Sequence, residues 1–126
     1  MSVSCSSSLV TSPVNVGGAA PNALYSQGLV VGGMVYLSGV TGVNPVTGSL
    51  VEGTVEARTT QIFENISRIL ETAGSHIDKT VKLSIFLISM SDYTLMNKAY
   101  SKVFSQGVKP VCFTEITANS LPKDQF

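Results

Sequence analysis

From Val55 to Ala73 the apolar residues recur at helical spacing: Val55, Ile62, Phe63, Ile66, Ile69, Leu70 and Ala73. They predict one apolar face of a helix, with Arg58, Gln61, Glu64, Arg68 and Glu71 on the other side. Thr54 is placed to cap its free amides, and Gly74 to end it in a left-handed conformation. A narrower stripe, Leu95, Ala99 and Val103, predicts a second helix capped by Ser91 or Asp92 and stopped by Gly107 and Pro110. Between and around the helices the pattern changes to that of strands. Tyr25–Val31 and Met34–Gly39 flank Gly32-Gly33, a hairpin signal because both glycines accept positive φ. Val81–Ile88 is apolar on both faces, with Val81, Leu83, Ile85 and Leu87 on one and Phe86 and Ile88 on the other. Such a strand is expected to sit centrally, covered on both sides. Lys109–Thr117 alternates, aiming Cys112, Thr114 and Ile116 one way and Val111, Phe113 and Glu115 the other.

The remaining segments read as connections. Residues 3–11 alternate weakly, as an edge strand would, and Pro13–Pro21 reads as a loop by its turn residues. Val40–Gly53 is a loop with its tight turn at Asn44–Gly48. The order strand, hairpin, helix, strand, helix, strand predicts an α+β sandwich, a mixed sheet with both helices on one face. At 126 residues without repeats or a low-complexity linker, one domain is expected.

Composition adds a second theme. Eight Lys/Arg balance eight Asp/Glu, and charged residues make up 13% of the chain against about 25% in an average domain. A surface so poor in charge favours self-association. It also supplies no basic patch for a general nucleic-acid binder. No apolar run approaches the ~18 residues of a membrane span. Met1–Thr11 has neither the basic residues of a secretory signal nor the arginines of a mitochondrial presequence, so a cytoplasmic protein is expected. Cys5 and Cys112 lie far apart, consistent with a reducing compartment, and with His76 they cannot build a convincing metal site.

No phosphate loop, nucleophile elbow or zinc-protease motif is present. Gly39-Val40-Thr41-Gly42 reads as a loop, His76 as a cap or surface residue, and Cys112, without a His or Lys partner, as a buried inert thiol. A resemblance emerges from motifs in a fixed order. They are Ala20–Gly28, Ser38-Gly39, Val43–Gly48, Glu64-Asn65-Ile66, Glu71–Gly74, Val81-Lys82, Met96–Tyr100, Lys109-Pro110 and Leu121–Asp124. Over residues 14–124 this set resembles the RidA/YjgF family, the reactive intermediate deaminases, also called the L-PSP or perchloric-acid-soluble group.

The resemblance implies a chorismate-mutase-like fold assembled as a homotrimer with clefts between subunits. It implies hydrolysis of short-lived 2-imino acids to 2-keto acids and ammonia, without metal or organic cofactor. Tyr25 matches the family's pocket tyrosine, Ser38 and Gly39 its Ser-Gly floor, and Asn97 its second-helix asparagine. Val40 stands where a glutamine is usual, and Ala23-Leu24 where Gly-Pro is usual. Aligned on Pro110, Cys112 occupies the place of the arginine that would clamp a substrate carboxylate, and Thr114 that of a downstream cysteine. The family's last strand, with a water-positioning glutamate, is expected after Asp124, two residues before Phe126. Three functions follow as expectations: a deaminase of weak or lost activity, a trimeric ligand-binding or chaperone-like module without chemistry, and, last, an endoribonuclease or translation inhibitor. Residue chemistry alone favours the binding module, while deaminase is the family role. The expected partners are a small 2-imino or 2-keto acid and further copies of the chain, with neither nucleic acid nor membrane.

Overall fold

The computed structural model describes residues 11–16 and 24–116. The first strand, β1 (Thr11–Val14), pairs antiparallel with β2 (Gly28–Val31), and β2 with β3 (Met34–Leu37). Then come α1 (Val55–Thr72), β4 (Lys82–Leu87), α2 (Tyr93–Val103) and β5 (Val111–Ile116). β4 and β5 pair in parallel around α2, forming a second sheet beside the antiparallel one. Two helices with antiparallel and parallel strand pairs make the fold α+β.

Local chemistry explains most boundaries. Gly32 and Gly33 have φ of 56° and 77°, as a two-residue hairpin requires, and Val31 pairs with Met34 across them. Thr54 caps α1, its Oγ1 accepting from the Ala57 amide at 3.2 Å. At the other end the Gly74 amide donates to the Glu71 carbonyl and the Ser75 amide to that of Leu70, which together close a Schellman motif. Pro13 lies within edge strand β1 rather than in a loop; its missing N–H is tolerated at a sheet edge. The weak strand expected over residues 3–11 falls outside the described residues except at Thr11.

The core lies between the helices and one face of the strands. Phe63, Ile66 and Leu70 of α1 pack with Phe104, and Val35, Leu37 and Leu83 close against them. Phe63, Tyr100 and Phe104 form an aromatic triad, with centroid separations of 6.1, 5.6 and 4.8 Å. On α2 the buried stripe is Met96 and Ala99, at 1% and 2% exposure, whereas Leu95 is exposed. One member of the predicted stripe was misplaced: Ala99 is buried and Val103 packs against the core as expected, but Met96, three residues before Ala99, takes the place of Leu95, four before it. Helix α2 begins at Tyr93 with Asp92 at its N-cap position, without a side-chain cap bond, after a 3-10 turn over Met90–Asp92 capped by Ser89. Helix α2 also ends at Val103, well before Gly107 and Pro110, as the chain turns to bury Phe104.

β4 is not covered on both faces. Leu83, Ile85 and Leu87 turn toward the helices, while Phe86 on the opposite face is exposed and Val81 lies before the strand. The in-register parallel pairing puts Phe113 beside Ser84 and Val111 beside Lys82 on that same open face. Met34 and Tyr36 of β3 alternate outward likewise, opposite Val31 and Leu29. Among the described residues no helix is long and apolar enough to cross a membrane.

Candidate functional site

The open end of the hairpin gathers three of the sequence-predicted residues. Past the last pair, Gly28 with Leu37, the Ser38 amide and hydroxyl both donate to the Gln27 carbonyl, at 3.1 and 3.2 Å. The Gln27 side chain in turn accepts from the Val16 amide at 2.8 Å, tying this end to the segment after β1. Tyr25 stands two residues before Gln27 and is 58% exposed. Gly39 follows Ser38 and is exposed; a side chain there would meet nothing within 4 Å.

Beyond Gly39 the loop runs back along α1. Asn65 donates from Nδ2 to the carbonyls of Thr41 and Val43, at 3.1 and 2.8 Å. Its Oδ1 accepts from Gln61 Nε2 at 3.0 Å. Gln61 was expected on the solvent side of α1 and is instead buried, because the returning loop covers that flank. Arg58 Nε donates to the Val51 carbonyl at 3.2 Å. Neither Gln27, Gln61 nor Asn65 was a candidate from sequence. The one available signal for the last two was a pair of amides four residues apart, able to meet on a helix.

Asn97 and Cys112 lie elsewhere, on α2 and β5. Cys112 is exposed, not buried. The reason is topological: the helices cover the inward row of β4, and β5 lies outside β4, beyond their full reach. Cys112 shares that inward side with its register partner Leu83 and faces the Tyr100 hydroxyl of α2. Its Sγ is 4.0 Å from Thr114 Oγ1. Burial raises the Tyr100 pKa, and the neighbouring thiol adds to the rise, so the phenol stays protonated and able to donate at neutral pH. Asn97 is half-buried one turn before Tyr100. Among the described residues no hydrogen bond joins the Tyr25–Ser38–Gly39 group to Asn97 or Cys112. The sequence-predicted residues thus fall into two groups, one at the open end of the hairpin and one on α2 and β5.

His76 caps the 3-10 turn Ile77–Lys79, its Nδ1 accepting from the Asp78 amide at 3.3 Å. Among the described residues no three His, Cys, Asp or Glu side chains cluster in a way that could hold a metal ion. A surface hollow of about 470 Å³ is lined by Thr60, Phe63, Glu64, Ser67, Arg68, Ile77 and Val103, none of them a sequence-predicted site residue.

Residues 17–125 match the family described as endoribonuclease L-PSP. The chloroplastic Reactive Intermediate Deaminase A of Arabidopsis thaliana is 38% identical over 105 residues, 82% of this chain and 56% of that protein. The crystal structure of YyfA from Yersinia pestis, of the Rid family, superposes with a TM-score of 0.84 at 33% identity, covering 91% of each chain. TdcF of E. coli, solved with bound serine, superposes at 0.80 with 28% identity, covering 90% of each. Ordered motifs, fold and relatives agree: the chain belongs to the RidA/YjgF, or L-PSP, family.

Proposed function

We propose that this protein is a trimeric, chorismate-mutase-like RidA protein whose clefts between subunits take a small 2-imino or 2-keto acid. We propose further that it hydrolyses imino acids slowly relative to a member with arginine at the Cys112 position. The observation that carries the reading is exposure: Tyr25 and Gly39 at the hairpin's open end, and Cys112 beside Tyr100, stand open in a chain whose outer sheet face is also uncovered. Gly39 fits the same picture. Neither positive φ nor crowding within the chain demands glycine there, so a ligand or a neighbouring subunit supplies the reason. The serine held by TdcF and the deaminase relative support an amino-acid-sized, carboxylate-bearing ligand.

The chemistry asks for carboxylate binding, polarisation of the imine and delivery of water to its carbon. Tyr25, Ser38, Asn97 and the protonated Tyr100 are neutral groups that can donate or accept hydrogen bonds to such a ligand. A thiol in place of a bidentate arginine forfeits on the order of 1.5–3 kcal/mol of carboxylate binding. Slow turnover with retained shape is the result, which joins the deaminase and binding-module readings into one quantitative statement.

The test generates 2-iminobutanoate in situ and follows semicarbazone formation with and without the protein. Wild type is expected to compete weakly with semicarbazide, and Cys112→Arg to gain about tenfold or more in kcat/KM. Wild-type acceleration equal to that of an arginine-bearing relative would refute the slow-enzyme reading. No binding of 2-oxobutanoate by either form would refute the cleft's proposed ligand class.

A further inference from the structure

The floor residues Ser38 and Gly39 sit between two anchors, and the second is a side chain of α1. Upstream, Ser38 is held to the hairpin through the Gln27 carbonyl. Downstream, both donors of the Asn65 amide are committed to Thr41 and Val43, leaving only Gly39 and Val40 between the anchored points. The amide cannot turn over without loss, because Gln61 donates to its oxygen from a buried position. A second observation shows how closely the loop is fitted. A side chain at Gly42 would come within 3.0 Å of the Arg58 carbonyl, so the segment lies directly on the helix backbone. The Val51 amide donates to the Gly42 carbonyl at 2.9 Å, which fixes the loop's far limb to the same place.

We infer that Asn65, oriented by Gln61, is a positioning residue of the ligand cleft: it sets the position of the Ser38–Gly39 floor from helix α1. The inference rests on the assignment of Tyr25, Ser38 and Gly39 to the cleft. It makes a specificity-determining element of a helix residue that need not touch the ligand. Asn65→Asp keeps the shape and the acceptor facing Gln61 while removing both donors to the loop; Asn65→Ala removes all three bonds.

Two measurements on the full-length protein separate the outcomes. Amide hydrogen exchange is expected to accelerate about tenfold at Ser38, Asn44 and Val51 in both variants, with Leu29 and Tyr36, a hydrogen-bonded pair of the hairpin, unchanged. Affinity for 2-oxobutanoate is expected to fall about tenfold, and Gln61→Glu to weaken it in wild type but add nothing on top of Asn65→Ala. Unchanged exchange at Ser38 and Asn44, or an equal rise throughout the hairpin, would overturn the positioning role. Local acceleration with unaltered 2-oxobutanoate affinity would overturn its bearing on the cleft. If wild type binds no 2-oxobutanoate, the cleft assignment fails and the inference with it, whereas the exchange pattern still decides whether Asn65 holds the loop.

Discussion

The two faces of the strands are built from the same kinds of residue and meet different fates. On the inner face Val35, Leu37 and Leu83 close against the helical core around Phe63 and Phe104. On the outer face Met34, Tyr36, Phe86, Val111 and Phe113 remain exposed, Phe113 at 54% and Val111 at 67%. Apolar side chains at alternating positions on both faces are costly to leave in water, and a contiguous patch of them marks an interaction surface. The difference therefore lies in coverage, not in composition. One face is completed by the chain's own helices, and the other is left open by them.

Four experiments test that contrast. The largest effect is expected from the covered side: Phe63→Ala removes the centre of the aromatic triad and should destabilise the fold by about 3–5 kcal/mol, read from urea denaturation. A cost under about 1 kcal/mol would mean that the helices do not form the main core. Next, Phe113→Asp places a charge on the outer face. If another copy covers it, each protomer loses about 2 kcal/mol of apolar burial and the assembly should dissociate, visible as a fall in mass by light scattering at micromolar concentration. An unchanged mass would mean that the face is free. Thr54→Ala removes the cap of the covering helix and is expected to cost about 1 kcal/mol in denaturation, with no change in assembly mass.

The smallest effect concerns the charged seam between the helices. Glu56 accepts from Lys102 Nζ at 2.9 Å and lies 3.6 Å from Lys98 Nζ. The hydrogen bond from Lys102 and the two positive charges hold its carboxyl below the ordinary range. Because the folded-state pKa is depressed, the pair's contribution is present above the unfolded carboxylate pKa of about 4.3 and disappears as the pH falls through the folded value. The difference in melting temperature between wild type and Glu56→Gln should thus be small at pH 7, shrink with added salt, and vanish in acid. A difference that grows in acid would overturn the assignment.

Legibility in the sequence follows from how local each cause is. The α1 stripe, its Thr54 cap and Gly74 terminator, and the Gly32-Gly33 hairpin depend on neighbours within a few residues, and all are found where expected. One member of the α2 stripe was misread, because Leu95 at four residues and Met96 at three residues before Ala99 both have helical spacing and only packing selects Met96. Cys112 was read as buried because no His or Lys partner marked it as a reactive thiol. Its exposure depends on β5 adding outside β4 and on how far an 11-residue helix reaches. Gln61 and Asn65 were hidden for the opposite reason. A polar flank on a helix reads as a solvated one until a loop from elsewhere in the chain lies on it. The ordered motifs carried family membership, while the exposure of Cys112 and Tyr25 is a property of the folded chain that those motifs do not express.

The parallel pairing of β4 with β5 has a kinetic consequence. Hairpin β2–β3 can zip from its glycine turn within microseconds, and α1 can grow from local contacts alone. β5 can find β4 only after the intervening segment, α2 included, has compacted, because a parallel partner cannot be reached by a tight turn. Folding should then proceed from the α1–hairpin layer toward the C-terminal strand, with β5 among the last elements to dock. Until it docks, the strand that bears Cys112 has no ladder, and the outer face lacks Val111 and Phe113. Under the proposed assembly through that face, docking would have to wait for the slowest pairing in the chain, so that only a completed protomer would present it to another copy.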